Sequence, residues 1–383
     1  MFCRILLMGF LSLACAAVCA PLPADAASGP AASASKPPVL AGRVVQLGVH
    51  GTALEGNRLG DPVERKVTVY LPPSYEHARR RHYPVIYSLG GYAALPELAS
   101  KPGFGPIDLI VAPIDRAIAR GQLGEVILVD IQGYNRLGGS FWVNSASTGG
   151  WEDFVTKDVI PAVDKRFRTV ARRASRGLYG GSMGGFGALS IAMHRPELFG
   201  TVFSQSPCCL AMIEELGPGP AWPALAQVTL AQADAAFQHG DPRPLEAEAL
   251  AAAFAPDAQH PPFYGDLPYR AEGDRVVPSE PAYARWAAML PPARLDSEAA
   301  GLKTLRGLRI QYGDHDSLRH IVRSLPAFDR ALTAHGVPHE FHADHGGHVD
   351  FARFGEDAVP FFARTLEGAA GKVEAGVQAQ ASQ

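Results

Sequence analysis

The glycine-rich stretch at residues 176–190 constrains the fold of this chain more than any other segment. It contains Gly-Gly-Ser-Met-Gly at residues 180–184, which fits the pattern G-x-S-x-G. The apolar residues before it predict the end of a buried strand, and the Ala-rich run at residues 186–194 predicts a helix. Glycines on both sides of a tight strand-to-helix turn remove the β-carbons that would collide as the turn closes. The pattern therefore predicts a turn that pushes the side chain of Ser182 outward at the end of a strand.

Two interpretations are open for a serine in such a turn. In a nucleophile elbow, the cramped backbone presents the hydroxyl of Ser182 to a pocket, and the amides of the helix N-terminus stabilise negative charge beside it. In the alternative, the serine only caps the helix. We favour the elbow because the strand and the helix are both present, and an elbow requires an acid, a histidine and an oxyanion hole elsewhere in the chain.

Apolar strand-like runs alternate with helical patterns along most of the chain. The predicted strands lie at residues 43–49, 64–71, 83–89, 126–131, 178–180, 200–204, 308–312 and 340–343. The predicted helices outside the region of residues 210–302 lie at residues 107–120, 151–167, 186–194, 318–335 and 350–366. This alternation predicts an α/β fold, with a mostly parallel central sheet that helices cover on both faces. Ligands of such sheets bind beyond the carboxyl ends of the strands.

The alternation stops between residues 210 and 302, which are rich in proline and alanine. We interpret this segment as an insertion into a single α/β domain of residues 41–366. A lid over the pocket and an ordinary set of surface helices with loops are both consistent with it. Before the domain, residues 27–40 predict a flexible leader, and after it residues 367–383 predict a disordered tail.

The first 26 residues have the pattern of a secretory signal peptide. Arg4 precedes a short apolar run, and an A-x-A site ends at Ala26. We therefore expect cleavage after Ala26 and a secreted or periplasmic protein. The apolar run is short for a membrane anchor, and lipid attachment at one of its cysteines is the less favoured alternative.

Charge and cysteine content exclude several classes of function. The net charge is −3 and the isoelectric point is near 6.5, so electrostatics give no reason to expect nucleic acid as a partner. No internal run is long enough to span a bilayer, and we expect no stable membrane insertion after the signal is removed. Removal would leave only Cys208 and Cys209, and because a disulfide between neighbours is strained we expect two buried thiols.

The acid and the histidine that an elbow requires are found in the last third of the chain, in the order serine, acid, histidine. After the strand at residues 308–312, the sequence Gly-Asp-His-Asp offers Asp314 and Asp316. We favour Asp316 because it lies further into the loop, whereas an aspartate directly after a glycine fits turn chemistry. His348 follows two glycines and precedes the last helix, so it is the favoured base, with His345 as the second candidate.

Histidines at positions 339, 342, 345 and 348 raise a metal site as another explanation. A spacing of three aligns side chains on a helix, but this segment predicts a strand followed by a glycine loop. On a strand, His339 and His342 would face opposite sides of the sheet. We therefore expect no metal and no cofactor.

The chemistry expected of this set is nucleophilic catalysis. His348 would take the proton of Ser182 and return it to the leaving group, while Asp316 would orient the imidazole. The backbone N–H of Met183 would supply one oxyanion donor, and the loop after the strand at residues 83–89 would supply the other, for which we choose Tyr92. Two further residues are candidates for binding the substrate, although simple packing would equally explain the second: Gly91 and Trp142.

Taken together, these segments resemble the putative-esterase (esterase D-like) family of α/β hydrolases. That family includes S-formylglutathione hydrolases, feruloyl and acetylxylan esterases, enterochelin esterases and mycolyltransferases. The similarity covers residues 64–210 and 303–365. The segments that carry it are residues 67–73, 83–87, 151–154 and 180–185, Gly313-x-x-Asp316 and Gly347-His348.

The resemblance implies an α/β-hydrolase fold and maps the family's catalytic triad onto Ser182, Asp316 and His348. It also maps the oxyanion donors onto Met183 and Tyr92. The chain departs from the family pattern in two places. Gly90 stands where the family usually has His or Asp, and the insertion at residues 210–302 matches no subfamily.

We therefore expect an exported serine esterase that hydrolyses a small-molecule, glycan or lipid ester through an acyl-enzyme. The same triad could instead transfer an acyl group to a sugar or lipid alcohol. A third interpretation is a binding protein that keeps the hydrolase fold without catalysis.

Overall fold

A computed structural model of the chain describes residues 39–93, 107–349 and 354–371. The signal peptide, the leader up to residue 38 and the tail from residue 372 lie outside the described residues and stay predictions. The described strands are β1 (Arg43–His50), β2 (Glu64–Leu71), β3 (Val85–Leu89), β4 (Ile127–Ile131), β5 (Asn144–Ser145), β6 (Gly149–Gly150), β7 (Arg176–Gly181), β8 (Thr201–Gln205), β9 (Tyr269–Glu272), β10 (Arg275–Pro278), β11 (Gly307–Gly313) and β12 (Glu340–Asp344).

Eight of these strands form the central sheet, in the order β1-β2-β4-β3-β7-β8-β11-β12. The six strands from β4 to β12 in that order run parallel to one another, and β2 and β1 continue the sheet with antiparallel pairing. The inner strands β3, β4, β7 and β8 are buried throughout, which is why most of their residues are apolar or small and they show no regular apolar–polar alternation. The mostly parallel sheet that the sequence predicted is confirmed.

Helices cover both faces of the sheet, as predicted. The described α-helices are α1 (Ala112–Ala119), α2 (Trp151–Asp153), α3 (Ile160–Arg166), α4 (Met183–His194), α5 (Trp222–Leu225), α6 (Leu230–Gln238), α7 (Arg243–Phe254), α8 (Ala282–Met289), α9 (Leu295–Leu302), α10 (Arg319–Ala334) and α11 (Phe354–Thr365). A π-helical segment, Phe154–Val159, joins α2 to α3, and another, Ile107–Val111, precedes α1. Within the residues described, no helix has both the length and the apolar character needed to cross a bilayer.

The sheet separates two apolar cores. Successive residues of β3 alternate between them: Tyr87 belongs to the larger core, which includes α4, and Ile86 belongs to the smaller core under α1 and α11. Burial on both faces fixes the register of each strand, because a shift of one residue would exchange the two sets of side chains. The carboxyl ends of the parallel strands are therefore held at fixed positions along one edge of the sheet.

The insertion contains α5 to α9 and the hairpin of β9 and β10. Its own apolar centre includes Trp286, whose ring centroid lies 6.1 Å from that of Trp222 and 5.6 Å from that of Phe254. Phe254, at the end of α7, also contacts Phe186 of α4, with ring centroids 5.5 Å apart. The insertion thus shares one continuous core with the main domain. Cys208 and Cys209, just before it, are free and buried, as predicted.

The packed chain extends beyond residue 366, where the sequence predicted the start of a disordered tail. Ala369 is fully buried, and its carbonyl accepts a hydrogen bond of 2.8 Å from the N–H of Gly124. The N–H of Glu367 donates to the carbonyl of Ala174 at 2.9 Å. These main-chain hydrogen bonds hold the segment against the domain, so the prediction was wrong for residues 367–371.

A buried acid inside the insertion makes stability depend on pH. Glu248 of α7 is 5% exposed, and burial raises the pKa of its carboxyl from 4.5 to about 8. Between these two values the unfolded chain is ionised at this position while the folded protein keeps its proton. The folded state therefore binds more protons, and stability falls as the pH rises through this window.

We predict that Glu248→Gln, a neutral replacement of similar shape, raises the free energy of unfolding at pH 8 by about 2–4 kcal/mol, since one pKa unit corresponds to about 1.4 kcal/mol. At pH 4.5 the effect should be close to zero. Urea unfolding of both proteins at the two pH values measures the difference. Equal effects at both pH values would show that burial does not hold the proton on Glu248.

Candidate active site

Ser182 lies in the sharp turn between β7 and α4, with φ 56° and ψ −121°. A serine rarely adopts this conformation, and the glycines around it leave the space that it requires. A β-carbon at Gly180 would lie 2.0 Å from the carbonyl oxygen of Gly184, and one at Gly184 would lie 2.1 Å from the carbonyl oxygen of Leu89. The backbone of the turn is therefore that of a nucleophile elbow, with the serine at the head of the helix.

The structure brings the three predicted side chains into hydrogen-bond contact. Nε2 of His348 lies 2.9 Å from Oγ of Ser182. Nδ1 of His348 lies 2.7 Å from Oδ2 of Asp316. Because the carboxylate accepts the proton on Nδ1, Nε2 is left as the acceptor for the serine hydroxyl. The side chain of Asp316 is fully buried, while that of His348 is 29% exposed.

The topology of the sheet explains why residues far apart in the chain meet here. Ser182 follows β7, Asp316 follows β11 and His348 follows β12, so all three lie beyond the carboxyl ends of parallel strands. The loops after β11 and β12 are in direct contact, since the N–H of His315 donates to the carbonyl of Gly346 at 3.1 Å. Parallel pairing of β11 with β12 therefore sets the separation between acid and base.

The second candidates for acid and base pair with each other instead. Nδ1 of His345 lies 2.9 Å from Oδ2 of Asp314, and the His345 side chain is 91% exposed. Nδ1 of His315 lies 3.2 Å from the other oxygen of Asp314. This exposed group forms a rim beside the catalytic loops, and Asp316 and His348 are the pair that reaches the serine.

The two predicted oxyanion donors flank Ser182. Met183 is the first residue of α4, so its N–H points along the amino end of the helix dipole. On the other side, a β-carbon at Gly91 would lie 3.6 Å from the carbonyl of Gly181 and 3.9 Å from Cβ of Ser182, which places the loop of Gly91 and Tyr92 beside the nucleophile.

Tyr92 is held by its own side chain. Its hydroxyl donates to the carbonyl of Leu137 at 2.9 Å, and its ring stacks on Phe141 with centroids 6.0 Å apart. Burial raises the pKa of the Tyr92 phenol, and the nearby charge of Glu246 raises it further. The phenol thus stays neutral and anchors the loop that carries the Tyr92 N–H.

The side chain of Trp142 packs inside the protein and is not exposed to a substrate. It is fully buried, and its indole N–H donates to the carbonyl of Gly90 at 3.1 Å. Its ring also lies against Gly187 of α4, where an added β-carbon would be 2.5 Å from a ring atom. The interpretation of Trp142 as a substrate-binding residue was wrong, because its ring fills the space between the oxyanion loop and the helix. Through its hydrogen bond, Trp142 supports the backbone at Gly90, the position where the chain departs from the family pattern.

The sequence did not reveal that the insertion contributes acidic groups to the site. Glu246, in the first turn of α7, interacts electrostatically with His348 and Glu215. Burial raises the pKa of the Glu246 carboxyl to about 7, against the opposing effect of His348. No motif marks Glu246, since it is one acid in an alanine-rich helix and only the fold of the insertion brings it near the triad.

Two groups of side chains in the described residues have donor atoms close enough together to hold a metal ion. They are Asp314, His315 and His345, and Asp257, His260 and Asp266. Both groups already contain close histidine–carboxylate pairs, for example 2.6 Å between Nδ1 of His260 and Asp266. Arg285 occupies the second oxygen of Asp266 at 2.6 Å, and its charge opposes a cation there. These pairs account for the clustering, and the absence of a metal remains a prediction.

A family model described as "Putative esterase" matches residues 58–253, just over half of the chain. The chain belongs to this family. The match includes the elbow and ends before Asp316 and His348, whose assignment comes from the geometry above. The resemblance drawn from the sequence motifs is confirmed.

Individual relatives and solved structures show how far the similarity extends. A curated endo-1,4-β-xylanase/feruloyl esterase of Xylanibacter ruminicola is 31% identical over 135 residues, and the match covers 34% of this chain and 18% of the relative. The solved structure of a ferulic acid esterase aligns over 86% of this chain and 100% of its own, with 20% identity and a TM-score of 0.54. A fluorophosphonate-binding serine hydrolase of Staphylococcus aureus aligns over 85% and 99%, with 16% identity and a TM-score of 0.53. The solved structures support the α/β-hydrolase fold.

We predict that Asp316→Asn lowers kcat of this esterase-family protein for p-nitrophenyl acetate by about 10³–10⁴-fold, because the amide no longer holds the proton on Nδ1 of His348. Asp314→Asn, two residues away, is the matched control and should change kcat by less than about threefold. Both values come from steady-state kinetics at pH 8. A comparable loss in the two variants would contradict the assignment of Asp316.

Proposed function

We propose that this chain is an exported serine esterase, which hydrolyses a carboxylic ester through an acyl-enzyme on Ser182. The observation that carries the proposal is the continuous pair of hydrogen bonds from Ser182 to His348, 2.9 Å, and from His348 to Asp316, 2.7 Å. The family supports an ester as substrate, and the activities named for the similar feruloyl and ferulic acid esterases point in the same direction.

The first half of the proposed reaction forms the acyl-enzyme. As Oγ of Ser182 bonds to the carbonyl carbon, its proton passes to Nε2 of His348. The carbonyl oxygen becomes an oxyanion that accepts hydrogen bonds from the N–H groups of Met183 and Tyr92, each worth about 2.7–4 kcal/mol in the transition state. The ester C–O bond then breaks, and His348 gives the proton to the departing alcohol oxygen.

The second half releases the acid. His348 takes a proton from water as the water oxygen attacks the acyl carbon, and the same two N–H groups stabilise the second oxyanion. The bond to Oγ breaks, Ser182 regains its proton from His348, and the carboxylic acid leaves. Asp316 accepts the hydrogen bond from Nδ1 of His348 throughout and stabilises the imidazolium form of the ring.

Export rests on the N-terminal pattern, which lies outside the described residues. We predict that the full-length chain, expressed with its own leader in a bacterial host, loses residues 1–26 and starts at Ala27. N-terminal sequencing of the protein in the periplasmic and medium fractions measures this. A chain that keeps Met1 and stays in the cytosolic fraction would contradict export.

We predict that Ser182→Ala lowers turnover of p-nitrophenyl acetate by at least about 10⁴-fold while the midpoint of thermal unfolding stays near that of the parent protein. A fluorophosphonate probe should label the parent protein and leave the variant unlabelled.

Undiminished turnover in Ser182→Ala would refute the mechanism. A parent protein that neither turns over esters nor reacts with the probe would favour a binding protein. An alcohol acceptor added to the same assay tests acyl transfer, because transfer yields a new ester in place of the free acid.

A further inference from the structure

Helix α10 begins three residues after Asp316, and the first N–H groups of a helix have no partners within it. The residue before the helix, Leu318, has no side chain that could accept their hydrogen bonds. Two carboxylates from outside the helix fill this role. Oδ1 of Asp316 accepts from the N–H of Leu318 at 2.8 Å. Glu215 accepts from the N–H groups of Arg319 at 2.8 Å and His320 at 2.9 Å.

Glu215 makes a third contact at this helix end, since its Oε2 lies 3.0 Å from Nδ1 of His320. His320 is 5% exposed, and burial lowers its pKa, so a neutral imidazole donates its Nδ1 proton to Glu215. Burial opposes ionisation of Glu215 itself, but the donors of His320 and Arg319 outweigh it and lower the pKa of its carboxyl. Glu215 is thus an ionised carboxylate that accepts three hydrogen bonds at the start of α10.

The turn that carries Glu215 is anchored in the aromatic centre of the insertion. The hydroxyl of Tyr269 donates to the carbonyl of Leu216 at 3.2 Å, and the indole N–H of Trp222 donates to the carbonyl of Gly217 at 2.7 Å. Glu214 has a φ of 52°, an unusual value for a residue with a side chain, so the turn adopts a specific shape. These contacts connect the insertion to the end of α10 that follows the catalytic acid.

We propose that Glu215 is a positioning residue, which fixes the start of α10 and thereby holds the loop that presents Asp316 to His348. This inference rests on the proposed esterase function. The effect is expected in catalysis, because a misplacement of about 1 Å in a reacting group can cost about 10²-fold in rate. The proposal also links the insertion to catalysis, because any movement of residues 214–216 away from α10 would break the three hydrogen bonds that Glu215 accepts.

The test compares two neighbouring glutamates of the same turn. We predict that Glu215→Ala lowers kcat for p-nitrophenyl acetate by about 10–100-fold and changes KM by less than about threefold, because Asp316 acts on chemistry and not on binding. Glu214 pairs with Arg323 further along the same helix at 3.1 Å and is similarly exposed, so Glu214→Ala is the matched control. It should change kcat by less than about twofold. Glu215→Gln, which keeps one acceptor oxygen, should fall between the parent and the alanine variant.

A second measurement does not depend on turnover. In ¹H NMR, the proton of His348 shared with Asp316 gives a far-downfield signal, and Asp316→Asn identifies it by removing it. In Glu215→Ala this signal should shift or broaden, whereas in Glu214→Ala it should stay in place. Glu215→Gln provides the comparison if the alanine variant fails to fold, which thermal unfolding detects.

Equal losses of kcat in the two alanine variants would overturn the proposal, because attachment of the insertion in general would then explain both. An unchanged kcat and an unchanged NMR signal in Glu215→Ala and Glu215→Gln would overturn it as well. Failure of the esterase function is recognised separately, as absence of turnover and probe labelling in the parent protein. The NMR comparison tests the role of Glu215 in that case too.

Discussion

The hydrogen bond between Asp316 and His348 is the interaction on which the rest of the site depends. A carboxylate without solvent contact is costly unless its oxygens are satisfied, and here one oxygen accepts from His348 and the other from the N–H of Leu318. Both donors are in reach because β11 and β12 are parallel neighbours and α10 starts three residues after Asp316. The bond in turn leaves Nε2 of His348 free to accept the proton of Ser182. The arrangement of strands at this edge of the sheet therefore determines which ring nitrogen of His348 faces Ser182 as a hydrogen-bond acceptor.

The insertion at residues 210–302 contributes to this site in two ways that the sequence did not predict. Its helix α7 brings Glu246 near His348, and its turn at residues 214–216 binds the helix that follows Asp316. The aromatic contacts of Phe254 with the main domain make it part of one core. A segment in such a position can influence both the electrostatics and the geometry of the triad.

The sequence alone was sufficient to predict those features that depend on short segments of the chain. The elbow at Ser182 depends on glycines within a few residues of it, and the buried strands depend on continuous apolar runs, so both could be predicted. The choice of Asp316 and His348 followed from loop position and from the resemblance to a family. Trp142 was misinterpreted because a tryptophan in a glycine-rich loop has the same local signature whether it faces a pocket or the interior. No sequence pattern pointed to Glu215 or Glu246, because their positions in the site depend on how the insertion folds against the domain.

The backbone of Ser182 carries a further consequence. Its combination of φ 56° and ψ −121° suits glycine far better than serine, and strain of this kind costs about 1–3 kcal/mol. Replacing this serine with glycine would relieve the strain and remove the nucleophile in the same step. Selection for heat resistance and selection for turnover therefore act in opposite directions at this one position. A lineage that no longer needed the chemistry could gain stability by giving up its hydroxyl.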